Sequence, residues 1–284
     1  MKAPDFAYAR PTTLDEALAL LAEHGEDARL LAGGQSLVTS LNMRLAAPSL
    51  LIDLNRIPDL AGIAESDGLV RIGAMARHRE VGESPLVRER LPLLAAAMPH
   101  IAHPAIRNRG TIGGSVALGD PATEWPACCL ALDATMVVRA QGGERRVPAA
   151  EFFQGLYTTA VGPDEILVAI EMPIPSSGAL WGFDELARRS GDYALAGLAA
   201  SARSEGGRLA DVRLAFFGVA DRPVLASAAA AALQAGDIKA AQAMLGDEID
   251  PPDDIAVKGA TRLHLARVLL GRVAGRMMEA AGGA

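Results

Sequence analysis

Apolar and polar positions alternate in two different rhythms along this chain, and the change of rhythm marks its elements. Leu14, Ala17, Leu18 and Leu21 recur at helical spacing and form one apolar stripe. Thr13-Leu14-Asp15-Glu16 has the form of a capping box, with Thr13 as N-cap and Glu16 reaching back, and Gly25 stops the helix. Short apolar runs predict strands at 29–32, 50–54, 69–74 and 165–172, the last closed by Pro173. Helices are expected at 36–44, 77–82, 91–98 and 125–132, and a hairpin at 135–140 and 145–147 around Gly142-Gly143. Between them, 101–110 reads as an irregular polar link and 115–124 as a loop. A second lobe begins near Arg56, and 175–178 reads as a linker. Beyond it, strands are expected at 181–188 and 209–219, with helix or strand at 193–203. An alanine-rich helix at 224–235 and an amphipathic helix at 263–279, with Leu265, Val268, Leu269 and Val273 inward, complete the chain.

Two glycine-rich turns punctuate this pattern: Ala32-Gly33-Gly34-Gln35-Ser36 and Thr111-Ile112-Gly113-Gly114-Ser115. A glycine pair lets the backbone take positive φ and approach a ligand closely, so that its N–H groups converge on an anion. One such pair is most often an ordinary tight turn. Two of them, from different lobes, point to a ligand with a diphosphate in its middle. Neither the G-x-G of the Rossmann fingerprint nor a P-loop is present, so a dinucleotide would be held by another fold.

Charge and cysteine content narrow the chemistry. The 284 residues carry 27 Lys and Arg against 34 Asp and Glu, a net charge of −7 that disfavours nucleic acid as a partner. Half of the residues are hydrophobic, enough for a sizeable core. No run approaches the ~18 apolar residues of a membrane span, and Met1-Lys2-Ala3-Pro4-Asp5 lacks the form of a signal peptide, so the expected location is cytoplasmic. Cys128 and Cys129 are adjacent in an apolar stretch and read as small core residues; they cannot ligate an iron–sulfur cluster. The histidines are scattered, and no metal site is expected on this chain.

Leu31-Ala32-Gly33-Gly34-Gln35-Ser36-Leu37, Arg107-Asn108-Arg109-Gly110-Thr111-Ile112-Gly113-Gly114-Ser115, Asp120-Pro121-Ala122-Thr123-Glu124, Asp164-Glu165-Ile166-Leu167 and Arg188-Arg189-Ser190-Gly191-Asp192-Tyr193-Ala194 together carry a family likeness. In order and spacing they resemble the FAD-binding medium subunit of the molybdenum hydroxylases, which include aerobic carbon monoxide dehydrogenase, xanthine dehydrogenase and bacterial N-heterocycle or aldehyde dehydrogenases. The resemblance implies an α+β protein: a two-lobed FAD-binding domain of the vanillyl-alcohol-oxidase (PCMH) type plus a smaller α+β C-terminal domain. Its implied divisions are lobe 1 at 1–55, lobe 2 at 56–175 and a C-terminal domain of the carbon monoxide dehydrogenase flavoprotein type at 179–284.

FAD would then lie extended between the lobes. By the same likeness, Ala32, Gly33, Gly34, Gln35 and Ser36, with Thr111, Ile112, Gly113, Gly114 and Ser115, hold the diphosphate through main-chain N–H groups. Glu124 faces the ribityl chain with Asp120 beside it, each carboxylate accepting from hydroxyls. Ile166 or Leu167 lines the flavin ring, and Tyr193 stands over it. The likeness implies no catalytic side chain here. The substrate is oxidised at a molybdenum cofactor on a large subunit, and electrons pass through 2Fe–2S clusters on a small subunit to FAD, then to an external acceptor. A dimer of heterotrimers is the implied assembly. Gln35 stands where many members have His, and Asp184 aligns with a Lys of xanthine dehydrogenases, which favours the carbon monoxide dehydrogenase-like branch. A self-sufficient FAD oxidase or dehydrogenase, and a non-catalytic assembly protein retaining the fold, stay open as alternatives.

Overall fold

The computed structural model describes residues 2–255 and 257–283. Its first elements are β1 (Ala7–Ala9), α1 (Leu14–His24), β2 (Ala28–Leu31), α2 (Leu37–Asn42) and β3 (Leu50–Asp53). The Thr13 hydroxyl accepts from the Glu16 N–H at 3.2 Å, and Glu16 accepts in return from the Thr12 and Thr13 amides, so the capping box forms as read. The three strands make a parallel sheet in the order β1-β3-β2, with every residue of β3 buried at its centre.

Next come β4 (Ile63–Ser66), β5 (Leu69–Gly73), α3 (His78–Glu83), α4 (Pro85–Arg90), α5 (Pro92–Ala97), α6 (Pro104–Arg107), α7 (Ile112–Leu118) and α8 (Glu124–Ala131). They lead to β6 (Thr135–Ala140), β7 (Gly143–Pro148), α9 (Ala149–Phe152), β8 (Phe153–Gly155), β9 (Thr158–Thr159) and β10 (Ile166–Pro173). Five strands form an antiparallel sheet, β4-β5-β10-β6-β7, with β10 at its centre. One face carries the core of α3, α5, α7 and α8. The other, through Val137, Ile166, Val168 and Ala169, packs on Leu18, Ile52 and Leu60 of the first sheet's core.

The remainder is β11 (Ala179–Ala187), β12 (Ala194–Glu205), β13 (Arg208–Phe217), β14 (Val224–Leu225), α10 (Ser227–Gln234), α11 (Ile238–Glu248) and α12 (Gly259–Gly282). The antiparallel sheet β11-β12-β13-β14 has helices on both faces. Leu198, Leu214 and Phe216 meet α10–α12, whereas Ala199, Ala215 and Phe217 join the core that holds α8. Burial on both faces explains why 193–203 showed no clean alternation and settles it as a strand. Arg262 of α12 is a buried staple: its Nη1 donates to the Leu195 and Gly218 carbonyls at 2.7 and 2.6 Å, and its Nη2 pairs with Asp254.

Two expectations are corrected. The link at 101–110 contains the short helix α6, started by Pro104. The second glycine pair lies within a helix instead of a turn: α7 begins at Ile112 with Thr111 as its N-cap and ends at Gly119, so the loop shrinks to 119–123.

Candidate functional site

The two glycine segments lie side by side. A Cβ added at Gly33 would fall 2.4 Å from the Arg109 carbonyl oxygen and 2.6 Å from Gly110 Cα, and one at Gly114 would fall 3.5 Å from Ala32 Cβ. Gly33 therefore has to be glycine for close approach, not for its backbone angles; only Gly34 of the four takes positive φ, at +73°. Gly113 has the same need, since its Cβ would meet Ala74 Cβ at 2.4 Å. These observations correct the expectation that positive φ explains both pairs.

The segments differ in what their amides do. Among the described residues, the N–H groups of Gly33, Gly34, Gln35 and Ser36 have no acceptor within the chain, and the Gln35 side chain turns back to the Gly33 carbonyl at 3.1 Å. Gly34 at positive φ, leading through a turn to right-handed Ser36, sets a run of free donors suited to an anion. In the second segment, Ile112 donates to Ala76 O at 3.0 Å and Gly113 to Ala74 O at 2.9 Å. Gly114 donates to Thr111 Oγ1 at 3.0 Å, and Ser115 to Thr111 O at 3.1 Å. Ile112 and Gly113 thus face inward to the end of β5, which corrects the reading that their amides point at a ligand. Behind this segment His78 touches Gly110, and Trp125 Nε1 donates to His78 Nδ1 at 2.9 Å. Burial holds the His78 pKa down at about 4, with Arg107 and Arg77 adding to the effect.

Residues 115–118 of α7, about 6 Å at the helical rise, and its cap Gly119 separate the glycine pair from Asp120, and Glu124 opens α8 beyond the loop. Both acids are buried. Burial pushes the Glu124 carboxyl up to about 8, reinforced by Glu185 and Asp120. Burial thus favours the protonated form of Glu124, which can donate as well as accept. Burial also raises Asp120, opposed by the hydrogen bond from the Ala122 amide at 3.0 Å and by the nearby Tyr193 hydroxyl. Tyr193, exposed on the approach to β12, has its hydroxyl pushed up to about 12 by desolvation and by Asp120.

Ile166 and Leu167 open β10 and are both buried, but they point to opposite faces: Ile166 into the core beneath the first sheet, Leu167 into the core of α7 and α8. The strand bulges just after them, where Val168 O accepts from the Ala74 amide at 2.9 Å. Asp184 turns away from this region to pair with Arg276 of α12 at 3.3 Å. Its neighbour Glu185 faces inward instead, 3.4 Å from His100 Nδ1, with its Oε2 buried and without a partner among the described residues. The hydrogen bond to Glu185 raises the His100 pKa, against desolvation.

Sequence reasoning missed Glu185, His100, Tyr157, Asn55 and Arg77. Tyr157, at the tip between β8 and β9 with φ +51°, is exposed and close enough to Asp120 and Tyr193 for their charges to interact. A non-glycine residue with positive φ on an exposed aromatic was the signal, visible only in the structure. Cys128 and Cys129 are fully buried on α8; burial pushes Cys129 up to about 12. Among the described residues no His, Cys, Asp and Glu group is arranged to hold a metal ion. No helix is long and apolar enough to cross a membrane.

Comparison with known proteins agrees with this geometry. Residues 4–175 match the family described as the FAD binding domain in molybdopterin dehydrogenase, and residues 181–277 match the CO dehydrogenase flavoprotein C-terminal domain. The chain is 45% identical over 217 residues, 76% of each protein, to the carbon monoxide dehydrogenase medium chain of Hydrogenophaga pseudoflava. It is 37% identical over 287 residues to the 6-hydroxypseudooxynicotine dehydrogenase complex subunit alpha of Paenarthrobacter nicotinovorans, covering 99% of this chain and 97% of the relative. A solved carbon monoxide dehydrogenase from Hydrogenophaga pseudoflava, lacking the Mo-pyranopterin moiety of its cofactor, superposes with a TM-score of 0.95 at 39% identity over 99% of both chains. The chain therefore belongs to the FAD-binding medium-subunit family of the molybdenum hydroxylases.

Proposed function

We propose that this chain holds one FAD between lobe 1 (1–55) and lobe 2 (56–175), with 179–284 as the C-terminal domain against lobe 2, and serves as the electron-transfer subunit of a molybdenum hydroxylase. The observation that carries the reading is the run of unpartnered N–H groups at Gly33, Gly34, Gln35 and Ser36, set against the second glycine segment. These amides, with the Thr111 and Ser115 hydroxyls, would bind the diphosphate. Asp120 follows the cap of α7 and Glu124 opens α8, so both acids lie past the C-terminal end of the helix that carries the second glycine pair. Protonated Glu124 would donate to or accept from ribityl hydroxyls. Tyr193, near Asp120, would cover the ring system, and Leu167 or Ile166, which point to opposite faces of β10, would supply its apolar wall.

FAD bound there supplies the redox chemistry, while the chain binds it, orients it and keeps water from part of it. Relatives named for carbon monoxide and for 6-hydroxypseudooxynicotine both match this chain, so the likeness does not single out one substrate. The partners are a large molybdenum-cofactor subunit and a small iron–sulfur subunit, assembled as a dimer of heterotrimers in the cytoplasm. The test is the isolated chain under anaerobic conditions. It is expected to be yellow and to bleach with dithionite, but not with carbon monoxide, an aldehyde or an N-heterocycle alone. Bleaching by such a substrate without partners, or a colourless chain that takes up no FAD, would overturn the proposal.

A further inference from the structure

One chain of polar contacts ties the two glycine segments together from behind. Asn55, which follows β3, donates from Nδ2 to the Ala32 carbonyl at 2.9 Å, and its own amide donates to Asp53 Oδ1 at 2.9 Å. Its Oδ1 accepts from Arg77 Nη2. The same guanidinium donates through Nη1 to the Arg109 carbonyl, the atom against which Gly33 is packed. Arg77 is fixed in turn: its amide donates to the Glu80 carboxylate at 2.8 Å, and its backbone forms a bridge with Thr111. Residues 32, 55, 77 and 109 thus make one connected path between the first glycine segment and the entry to the second.

The direction of these bonds matters. A trans peptide sets its C=O and N–H on opposite sides. Drawing the Ala32 carbonyl back onto Asn55 therefore turns the Gly33 N–H the other way, out of the chain. Holding the Arg109 carbonyl fixes the surface on which Gly33 rests. A guanidinium suits this task, because its rigid fork reaches two acceptors at once, which a single ammonium does not.

We propose that Asn55 and Arg77 are positioning residues for the diphosphate: from the far side of the backbone they aim the first segment's amides and set its spacing from the second. This inference rests on the FAD reading above. Its rival is that Arg77 merely contributes positive charge near the phosphates.

The experiment uses the full chain stripped of flavin and titrated with FAD, in the unaltered protein and in Arg77→Met, Asn55→Leu, the double variant and Arg77→Lys. Each of Arg77→Met and Asn55→Leu is expected to weaken FAD binding by about tenfold to a hundredfold. The double variant is expected to be no weaker than the weaker-binding single, because one path is broken only once. Arg77→Lys is expected to behave like Arg77→Met. Binding within about twofold of the unaltered chain in both single variants, additive losses, or restoration by lysine would overturn the proposal. If Arg77→Met does not fold, Arg77→Lys decides alone, since it keeps the charge and the aliphatic stem. An unaltered chain that takes up no FAD would instead refute the cofactor reading itself.

Discussion

Gly33 and Gly113 show that a glycine can be required by its neighbours instead of its backbone angles. At Gly113 a side chain would enter the space of Ala74, whose Cβ, carbonyl oxygen and Cα all lie within 2.6 Å of an added Cβ. That neighbour is backbone at the end of β5 and cannot move aside. Gly34 is the opposite case: its φ of +73° is costly for a branched residue, by about 1–2 kcal/mol, but its nearest neighbours are the yielding side chains of Val38 and Leu31. Gly113→Val is therefore expected to lower stability by about 3 kcal/mol or more even without flavin, a fall of about 5 °C or more in melting temperature. Gly34→Val should lower FAD affinity with a smaller change in that melting temperature. Equal melting temperatures for the Gly113→Val and unaltered FAD-free chains would contradict this. The glycine pairs were legible as special positions in the sequence, but their reason was not, because Ala74 and Arg109 are distant in sequence from the residues they constrain.

At the scale of elements, two opposed titrations meet at the start of α8: His78 of α3, bonded to Trp125, and Glu124 of α8 itself. Trp125 donates to His78 Nδ1, which has to stay unprotonated, and the His78 pKa is held at about 4 against an ordinary 6.5. As pH falls below 6.5 the unfolded chain gains a proton that the native chain does not, so stability is lost towards pH 4, by about 3 kcal/mol. Glu124 has the opposite sign. Its pKa is raised to about 8 from 4.5, so the native chain keeps a proton that the unfolded chain releases, and stability is lost as pH rises from 4.5 to 8. Between 4.5 and 6.5 the two slopes offset each other. Denaturant unfolding of the FAD-free chain between pH 6.5 and 8 should show Glu124→Gln gaining on the unaltered chain as pH rises. A constant difference across that range would show that Glu124 is already ionised.

Several elements were readable from periodicity and end signals alone, among them α1 with its capping box and the β6–β7 hairpin. The helix α7 was not, since two adjacent glycines argue locally for a turn and only packing on β5 and the Thr111 cap make them helical. For β12, burial against α8 on one side and α12 on the other erased the alternation that would have identified it. Asp120, Glu124 and Tyr193 stood out in the sequence because short motifs surround them, and the structure sets them near one another. Asn55 and Arg77 were invisible because their meaning lies in contacts across 22 residues. Glu185 was hidden beside Asp184, and only strand alternation separates the one that faces His100 from the one that faces Arg276.

At the scale of the whole molecule, the order of parts explains the division of labour. A small parallel sheet and a five-stranded antiparallel sheet share one core, and that joint sets the glycine segments edge to edge. The C-terminal sheet packs through Phe183, Phe217 and Ala215 onto the same core as α8 and brings Glu185 to His100, beside the acids at the far end of α7. On the proposed reading, the unpartnered backbone donors form one end of an elongated site and the buried acids near Tyr193 the other. Such a site distinguishes ligands by whether they carry phosphates at the donor end. The most direct measurement is a pair of calorimetric titrations of the flavin-stripped chain, one with FAD and one with riboflavin. The expected result is one FAD per chain, bound at least about a hundredfold more tightly than riboflavin, since each charge-assisted hydrogen bond to phosphate contributes about 1.5–3 kcal/mol. Equal affinities for the two, or no uptake of FAD, would contradict a diphosphate held by the first glycine segment.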